Sequence, residues 1–383
     1  MPLKILHTSD LHIGMTFRHY PDDLREMLME ARFSALERLV ELGVDHQCHL
    51  LVIAGDLFEK QSVARKELQR VKHLLSRFST GTVCILPGNH DYINDTTELW
   101  HTFCQDMPDH LLVLKVEKAV TLQEGDYTIT VYPAPCHAKH SDTHNLGWLE
   151  DLAIMSENRG SRHFHIGIAH GALAGISPDL SGQYYTMFPE TLQRLPQDLW
   201  LLGHTHLPYP PENHPRAPKI FNAGTPEPDG MDCRHDGSAW FIQLLENGSV
   251  DAEQLKTGTL RFLDVTETVE NEESFHRLKE KYLKGTPQQS LSRTLLRLKL
   301  SGYLDEEATT LRQPFYREME QTLAYFTVDD SDLRVRFSPE RITEEFTEGS
   351  LPAVLLQELV ASQDEDTAHL AYEIIREVKK HAD

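Results

Sequence analysis

Five short aliphatic runs, each ending at a glycine or a polar residue, limit the fold of this chain more than any other feature. They are LKILHT (3–8), HLLVIAG (49–55), TVCILPG (82–88), FHIGIAH (164–170) and LWLLGH (199–204). Runs of this length and composition are typical of buried strands. The early runs are separated by amphipathic stretches at 22–43 and 63–78, which predict helices. Strand–helix alternation requires parallel pairing through right-handed crossovers, so we expect these strands in one α/β sheet flanked by helices.

Three later runs predict strands with no helix between them. They are YTITVYPAP (127–135), KIFNAG (219–224) and SAWFIQLLENGSVDAEQL (238–255), the last of which contains the hairpin turn ENGS. They predict a second sheet with antiparallel character. Two sheets packed together inside helical layers make a four-layer α/β/β/α sandwich of two mixed sheets, which is the predicted fold class.

The composition becomes polar and charged at 263–290, which we interpret as a linker with a connecting helix. It would separate a first domain at 1–262 from a smaller α+β domain at 291–383. The smaller domain alternates strands with helical stretches and ends in one or two amphipathic helices.

Charge and cysteine content narrow the class of protein. The 383 residues carry a formal net charge of −22, which argues against broad, non-specific wrapping of nucleic acid by this chain alone. The five cysteines are scattered and contain no CxxC, so we expect neither a disulfide framework nor a zinc–thiolate site. The N-terminal apolar stretch is too short for a signal peptide, and no run reaches the roughly 18 apolar residues of a membrane span. These features predict a cytoplasmic protein that is not associated with a membrane.

A polar motif stands at the end of each of the five strands. The motifs are SDLH (Asp10, His12), GD (Asp56), GNHD (Asn89, His90, Asp91), HG (His170) and GHTH (His204, His206). Open α/β sheets bind ligands outside the carboxyl ends of their strands, so these loops are expected to converge. Any one motif has an ordinary turn or helix cap as its alternative explanation, but five in this arrangement do not.

The residue types in these motifs point to a metal site. Imidazole with carboxylate suits Mn²⁺, Fe²⁺ or Zn²⁺, and the absence of thiolate disfavours a purely structural zinc site. The set is too large for one ion and suits two. Two ions about 3.5–4 Å apart clamp the attacking and leaving oxygens of an in-line displacement at phosphorus.

The series SDLH, GD, GNHD, HG and GHTH resembles the calcineurin-like metallophosphoesterase superfamily and spans residues 10–206. The resemblance implies a metallophosphoesterase sandwich that binds two divalent ions. Mn²⁺ is the expected ion, with Fe²⁺, Zn²⁺ and Mg²⁺ as alternatives. The implied ligands are Asp10, His12, Asp56 and His206 for one ion and Asp56, Asn89, His170 and His204 for the other. His90 is expected to protonate the leaving oxygen or stabilise the transition state, and Asp91 to orient His90.

A finer similarity is to the SbcD-type DNA repair nucleases, including the YhaO-like branch. The similar segments are LHTSDLHIG, LLVIAGDLFE, LLGHTHLP with IFNAGTPEP, and TLLRLKLSG. The resemblance implies a DNA exonuclease, with endonuclease activity as a further option, that processes double-strand breaks as a homodimer with an SbcC-like coiled-coil ATPase. The 291–383 domain is then expected to cap the active site, and its C-terminal helices to dock on the ATPase. One departure is Gly224-Thr225, where the nucleases usually have Gly-Ser.

Two other functions stay open at this point. An enzyme of the same fold could act on nucleotides or other small phosphodiesters, with the C-terminal region serving oligomerisation. A scaffold with a vestigial metal site is the other option, and the intact motif set argues against it. Candidate DNA contacts are Arg18, His19, Tyr184 and Tyr185, the tyrosines by stacking on bases. The alternatives are ordinary surface positions for the first two and core packing for the tyrosines.

Overall fold

A computed structural model describes residues 2–150, 162–177, 182–211, 219–285, 287–336, 339–362 and 364–382. The chain forms two compact units, Met1–Arg261 and Phe262–Asp383. Among the described residues, no helix is both long enough and apolar enough to cross a membrane.

The first unit alternates strands and helices. Its strands are β1 (Leu3–Thr8), β2 (Leu50–Ala54), β3 (Thr82–Leu86), β4 (Leu111–Val113), β5 (Val120–Glu124), β6 (Tyr127–Ala134), β7 (His163–His170), β8 (Leu199–Gly203), β9 (Ile220–Asn222), β10 (Ser238–Leu244) and β11 (Val250–Lys256). Its helices are α1 (Asp22–Asp45), α2 (Arg65–Ser76), α3 (Leu99–Cys104), α4 (Gly147–Glu150) and α5 (Pro189–Arg194).

These strands form two mixed sheets. The first has the order β11-β10-β1-β2-β3-β4, in which β1 to β4 are parallel and the β10–β11 hairpin is antiparallel to β1. The second has the order β5-β6-β7-β8-β9, with β6 to β9 parallel and β5 antiparallel. The strands that carry the five motifs are therefore divided between the sheets, three in the first and two in the second. The expectation that all five share one sheet is wrong.

The assignment of the later runs also differs from the prediction. Of the three later runs, only those that form β6 and β9 lie in the second sheet, where β9 is parallel to β8 and β6 is parallel to β7 but antiparallel to β5. The predicted hairpin at 238–255 instead extends the first sheet beside β1. The physical reason is that an apolar pattern records burial of a strand but not which neighbour buries it.

The side chains of β2 show why the motif strands are apolar throughout. Leu50, Val52 and Ala54 pack into the core between the two sheets. Leu51 and Ile53 point to the opposite face and pack in the core under α1 and α2. A strand buried on both faces needs apolar residues at every position. On the far side, the second sheet packs against α4 and α5. The predicted four-layer α/β/β/α sandwich is thus confirmed.

The second unit is a small α+β structure. Its sheet has the order β12 (Arg261–Thr268), β13 (Thr294–Leu304) and β14 (Tyr325–Val335), with β13 and β14 parallel. Its helices are α6 (Glu272–Lys279), which continues into a π-helical turn (Glu280–Lys284), α7 (Gln288–Leu291), α8 (Glu306–Thr322), α9 (Pro339–Glu345), α10 (Leu351–Ala361) and α11 (Glu365–Ala382). The core contains leucines of β13 and aromatic residues of α6 and α8.

The segment 263–290 is not a linker. Its first residues belong to β12, in which Leu263 and Val265 pack towards the core of the unit while Asp264 and Thr266 alternate with them. Because every second residue of this strand is polar, the segment resembled a connection in composition. The predicted connecting helix corresponds to α6.

Candidate metal centre

The loops after β1, β2, β3, β7 and β8 bring the predicted metal ligands into one buried pocket. Ligand atoms within 4.8 Å of one another occur in three overlapping groups, which are Asp10 with His12 and His206, His12 with Asp56 and His90, and Asp10 with Asp56 and His170. Asn89 joins them because its Oδ1 lies 3.0 Å from His170 Nε2 and 3.1 Å from His204 Nδ1.

The backbone at this pocket is strained. Asp10, His12, Asp56 and His204 all have positive φ, of 54°, 48°, 51° and 95°. For residues other than glycine, this conformation costs on the order of 1–3 kcal/mol each and concentrates at functional sites. Hydrogen bonds between the first two loops hold it, from Asp10 N to Gly55 O at 3.1 Å and from His12 N to Asp56 O at 3.0 Å.

Two glycines permit the close approach of these loops. A Cβ at Gly55, which has φ +95°, would lie 2.0 Å from His170 Nδ1. A Cβ at Gly88 would lie 2.2 Å from Asp56 Oδ1. Side chains at either position would displace the predicted ligands.

Three pairs of ligand atoms in the first predicted set lie within the distance that one ion allows. His12 Nε2 lies 3.9 Å from Asp10 Oδ1 and 3.8 Å from Asp56 Oδ2, and His206 Nε2 lies 3.9 Å from Asp10 Oδ1. Ligands at about 2.0–2.2 Å from one ion can be at most about 4.4 Å apart. His12 Nε2 is buried and makes no hydrogen bond to any residue that the structure describes. A buried nitrogen without a partner is costly, and an ion at this position would satisfy it.

Three pairs of ligand atoms in the second predicted set lie within the same limit. His170 Nε2 lies 3.3 Å from Asp56 Oδ2 and 3.0 Å from Asn89 Oδ1, which is also 3.1 Å from His204 Nδ1. Asp56 Oδ2 therefore faces a histidine of each set, as a carboxylate shared between two ions must. The residues fit two divalent cations.

The pocket attracts positive charge. Burial alone would raise the pKa of Asp56, but the charges of His170 and His12 lower it below its usual range. Burial would lower the pKa of His170, but Asp56 and Asp10 raise it to about 9. Buried carboxylates of this kind need cationic partners, and divalent ions supply them more fully than a histidine does.

Asp91 does not orient His90, so that prediction is wrong. The buried carboxylate of Asp91 accepts hydrogen bonds from Gly88 N at 2.7 Å and Phe58 N at 2.9 Å. It ties the two loops together, and burial together with the charge of Asp56 raises the pKa of Asp91 to about 7. Consecutive side chains of an extended loop point in different directions, so the adjacency of His90 and Asp91 in the sequence does not bring their side chains into contact.

Glu59 has the role that was predicted for Asp91, because it holds the ring of His90. His90 Nδ1 lies 3.1 Å from the Glu59 carbonyl oxygen and 3.7 Å from its Oε2. The same Oε2 lies 2.9 Å from His12 Nδ1, so Glu59 also orients a predicted metal ligand. The sequence signal that could have identified Glu59 is the motif GDLFE, in which an acidic residue stands three positions after Asp56.

Asp229 is a second residue that the sequence analysis missed. Its Oδ2 lies 2.9 Å from His206 Nδ1, which leaves His206 Nε2 for an ion. Asp229 is in turn next to Arg32 of α1, whose side chain is fully buried and whose Nη2 lies 3.9 Å from Asp229 Oδ2. Arg32 Nη1 donates a hydrogen bond to the carbonyl oxygen of Glu227 at 3.1 Å. Asp229 lies 23 residues after His206, and no local pattern connects them.

The comparisons with known proteins agree with this geometry. A family profile described as calcineurin-like phosphoesterase matches residues 3–208, which is more than half of the 383 residues. The chain belongs to this family. It is similar to the uncharacterized metallophosphoesterase YhaO of Bacillus subtilis, with 24% identity over 215 residues that cover 53% of this chain and 48% of YhaO.

Two further similarities extend the comparison. The DNA double-strand break repair protein Mre11 of Methanosarcina mazei is 32% identical over 91 residues, 23% of this chain and 14% of that protein. The matches thus span about half of YhaO and about a seventh of Mre11. Among solved structures, the purple acid phosphatase PPD1 of yellow lupin aligns with a TM-score of 0.41 and 12% identity, over 67% of this chain and 52% of PPD1.

The two predicted tyrosine contacts of this phosphoesterase differ from each other. Tyr184 is partly exposed, and its ring lies 5.0 Å from the His204 ring and 5.0 Å from the His140 ring. Tyr185 is buried, and its hydroxyl accepts a hydrogen bond from Ala138 N at 2.9 Å. Tyr184 therefore lies beside the pocket, and its role as a DNA contact stays a prediction, whereas Tyr185 is a core residue and stacking by it is excluded.

Arg18 and His19 lie on the surface, in a turn of the loop that also carries Asp10 and His12. The His19 ring packs against Tyr20, with centroids 4.4 Å apart. Their role as DNA contacts stays a prediction.

Asp229→Asn should weaken binding of Mn²⁺ by about 10–100-fold, because the substitution keeps an acceptor oxygen for His206 but removes the charge that makes the imidazole a stronger ligand. Calorimetric titration of the metal-free protein with Mn²⁺ measures this. Asp232→Asn, an exposed position in the same loop, is the control. Wild-type affinity in the Asp229 variant would show that this contact does not act on the metal centre.

Proposed function

We propose that this protein is a two-metal DNA phosphodiesterase of the SbcD type, an exonuclease that processes DNA ends in double-strand break repair. The observation that carries the proposal is the pair of ligand sets that share Asp56, with His90 beside them. The similarity to Mre11 supports DNA as the substrate. Mn²⁺ is the proposed ion, and the cytoplasm the proposed location.

Two divalent ions, when bound, would supply Lewis-acid activation of a phosphodiester. The side chains of the two predicted sets would hold these ions. His90 is placed to serve the leaving oxygen. Its Nδ1 is held by the Glu59 carbonyl at 3.1 Å, which fixes the ring and leaves Nε2, on its opposite side, for the substrate.

The proposed partner is an SbcC-like coiled-coil ATPase, and the apolar surface of the last two helices supports this. Leu370, Ile374 and Val378 of α11 recur every four residues and are 53–62% exposed. A stripe of this kind fits a helical partner. Co-expression with such an ATPase should give a stable complex that Ile374→Glu dissociates. An ATPase complex that is unaffected by Ile374→Glu would exclude the α11 surface as the docking site. The proposal also includes a homodimer of this protein.

The proposal predicts that the protein with Mn²⁺ degrades end-labelled linear duplex DNA and spares a covalently closed circle. The reason is that an exonuclease needs a free end to enter the site. Digestion is followed on gels with and without EDTA, and His90→Ala is the inactive control. Hydrolysis of a small model phosphodiester with no digestion of either DNA would contradict the nuclease function and favour the small-substrate alternative.

A further inference from the structure

A cavity of about 760 Å³ in the first unit lies next to the metal centre. Its lining begins with Leu207 and Pro208, the residues that directly follow His206. The lining also includes Arg234, His235, Asp236 and Lys256. A cavity of this size lies within the range of about 300–1,000 Å³ that holds a small organic ligand or one nucleotide of a strand.

The sheet register places this cavity at the same edge as the predicted ligands. His7 of β1 pairs with Trp240 of the antiparallel strand β10, so the start of β10 at Ser238 lies where Asp10 follows β1. Ser238 is part of the cavity lining. His235 Nε2 lies 2.6 Å from the carbonyl oxygen of His206. The cavity and the metal centre therefore share the His206 segment as a wall.

The lining carries two cationic side chains, Arg234 and Lys256, against the one carboxylate of Asp236, a balance that favours an anion. Arg234 is exposed and makes no ion pair with any residue that the structure describes, although the chain as a whole carries a net charge of −22. Other exposed arginines of this unit, such as Arg70 and Arg77, are paired with glutamates. Lys256 contacts Asp236 at 2.7 Å, in an exposed pair of the kind that contributes little and exchanges easily.

We propose that this cavity binds a phosphate of the DNA strand next to the scissile phosphate. Arg234 offers a planar fork of donors that matches two phosphate oxygens, and Lys256 adds a second cation. Leu207, which is exposed, and Pro208 provide an apolar surface for the adjoining sugar or base. This inference rests on the proposed function, because it names a part of the nuclease substrate that the metal centre itself does not contact.

The test compares DNA with a substrate too small to reach the cavity. Arg234→Ala should raise the KM for a single-stranded or duplex oligonucleotide about tenfold with little change in kcat, because one charge-assisted contact to phosphate is lost. The slope of log affinity against log salt should fall by about 1. Hydrolysis of bis(p-nitrophenyl) phosphate should be unchanged, and Arg234→Lys should recover part of the loss. Arg38→Ala, an exposed arginine of α1, removes the same charge elsewhere.

The outcomes separate this inference from the proposed function. If the wild-type protein hydrolyses the small diester but not DNA, the nuclease function fails and the cavity proposal fails with it. If DNA is cleaved and Arg234→Ala has the KM and the salt slope of Arg38→Ala, the cavity proposal alone is overturned. Equal losses on DNA and on the small diester would also overturn it, since they would place the effect at the metal centre.

Discussion

Asp56→Ala should abolish the binding of two ions and with it all measurable phosphodiester hydrolysis. Its Oδ2 lies 3.8 Å from His12 Nε2 and 3.3 Å from His170 Nε2, so one carboxylate belongs to both ligand sets. Removing it leaves each set one ligand short and takes a negative charge from the buried pocket. Loss of a residue behind a metal ligand typically costs about 10–100-fold in affinity, and loss of a shared ligand should exceed that.

Titration of the metal-free protein with Mn²⁺ in a calorimeter checks this result. The wild-type protein should take up two ions, and its melting temperature should rise with Mn²⁺ because only the folded state binds. Asp56→Ala should show neither effect. Asp22→Ala, which removes an exposed carboxylate at the start of α1, is the control. Uptake of two ions by the Asp56 variant with wild-type affinity would contradict the shared-ligand geometry.

The convergence of the predicted ligands could be anticipated from the sequence because they stand at strand ends. A buried strand has a recognisable composition, and the first polar residue after it lies at the carboxyl edge of a sheet wherever the strand is placed. For this reason the pocket was predicted although the five motif strands belong to two sheets rather than one. The two sheets pack face to face, so the error in sheet assignment did not move the strand ends apart.

The residues that support the ligands could not be predicted in the same way. Glu59 contacts His90 from 31 positions earlier in the chain, and Asp229 and Arg32 meet at His206 from distant segments. These contacts are set by how loops fold over one another, and hydrophobic periodicity carries no information about that. Asp91 illustrates the opposite error, since a neighbour in sequence was assumed to be a neighbour in space. The boundary near residue 262 was signalled by composition, but the acidic strand β12 was not.

His90→Ala should leave metal binding intact and lower kcat by about 10²–10⁴-fold, the usual contribution of a general acid. His90 belongs to neither predicted ligand set, although its ring lies within ligand distance of His12 and Asp56. Its ring lies beside His12, with centroids 4.9 Å apart, and its Nδ1 is held by Glu59, so the side chain is fixed at the edge of the pocket. The Mn²⁺ titration described above establishes that the ions still bind.

The identity of the leaving group distinguishes proton donation from a general structural effect. An alkoxide leaving from DNA requires a proton, whereas p-nitrophenolate leaves readily without one. His90→Ala should therefore lose much more activity on DNA than on bis(p-nitrophenyl) phosphate. Asp91→Asn is the matched control, because the hydrogen bonds that the described residues make to the Asp91 carboxylate come from the backbone amides of Gly88 and Phe58. Its substitution should lower the melting temperature while kcat on the folded enzyme changes little. Equal losses by His90→Ala on both substrates would show that His90 does not donate the proton. If Asp91→Asn lowers kcat as much as His90→Ala does, Asp91 would again be the residue that orients His90.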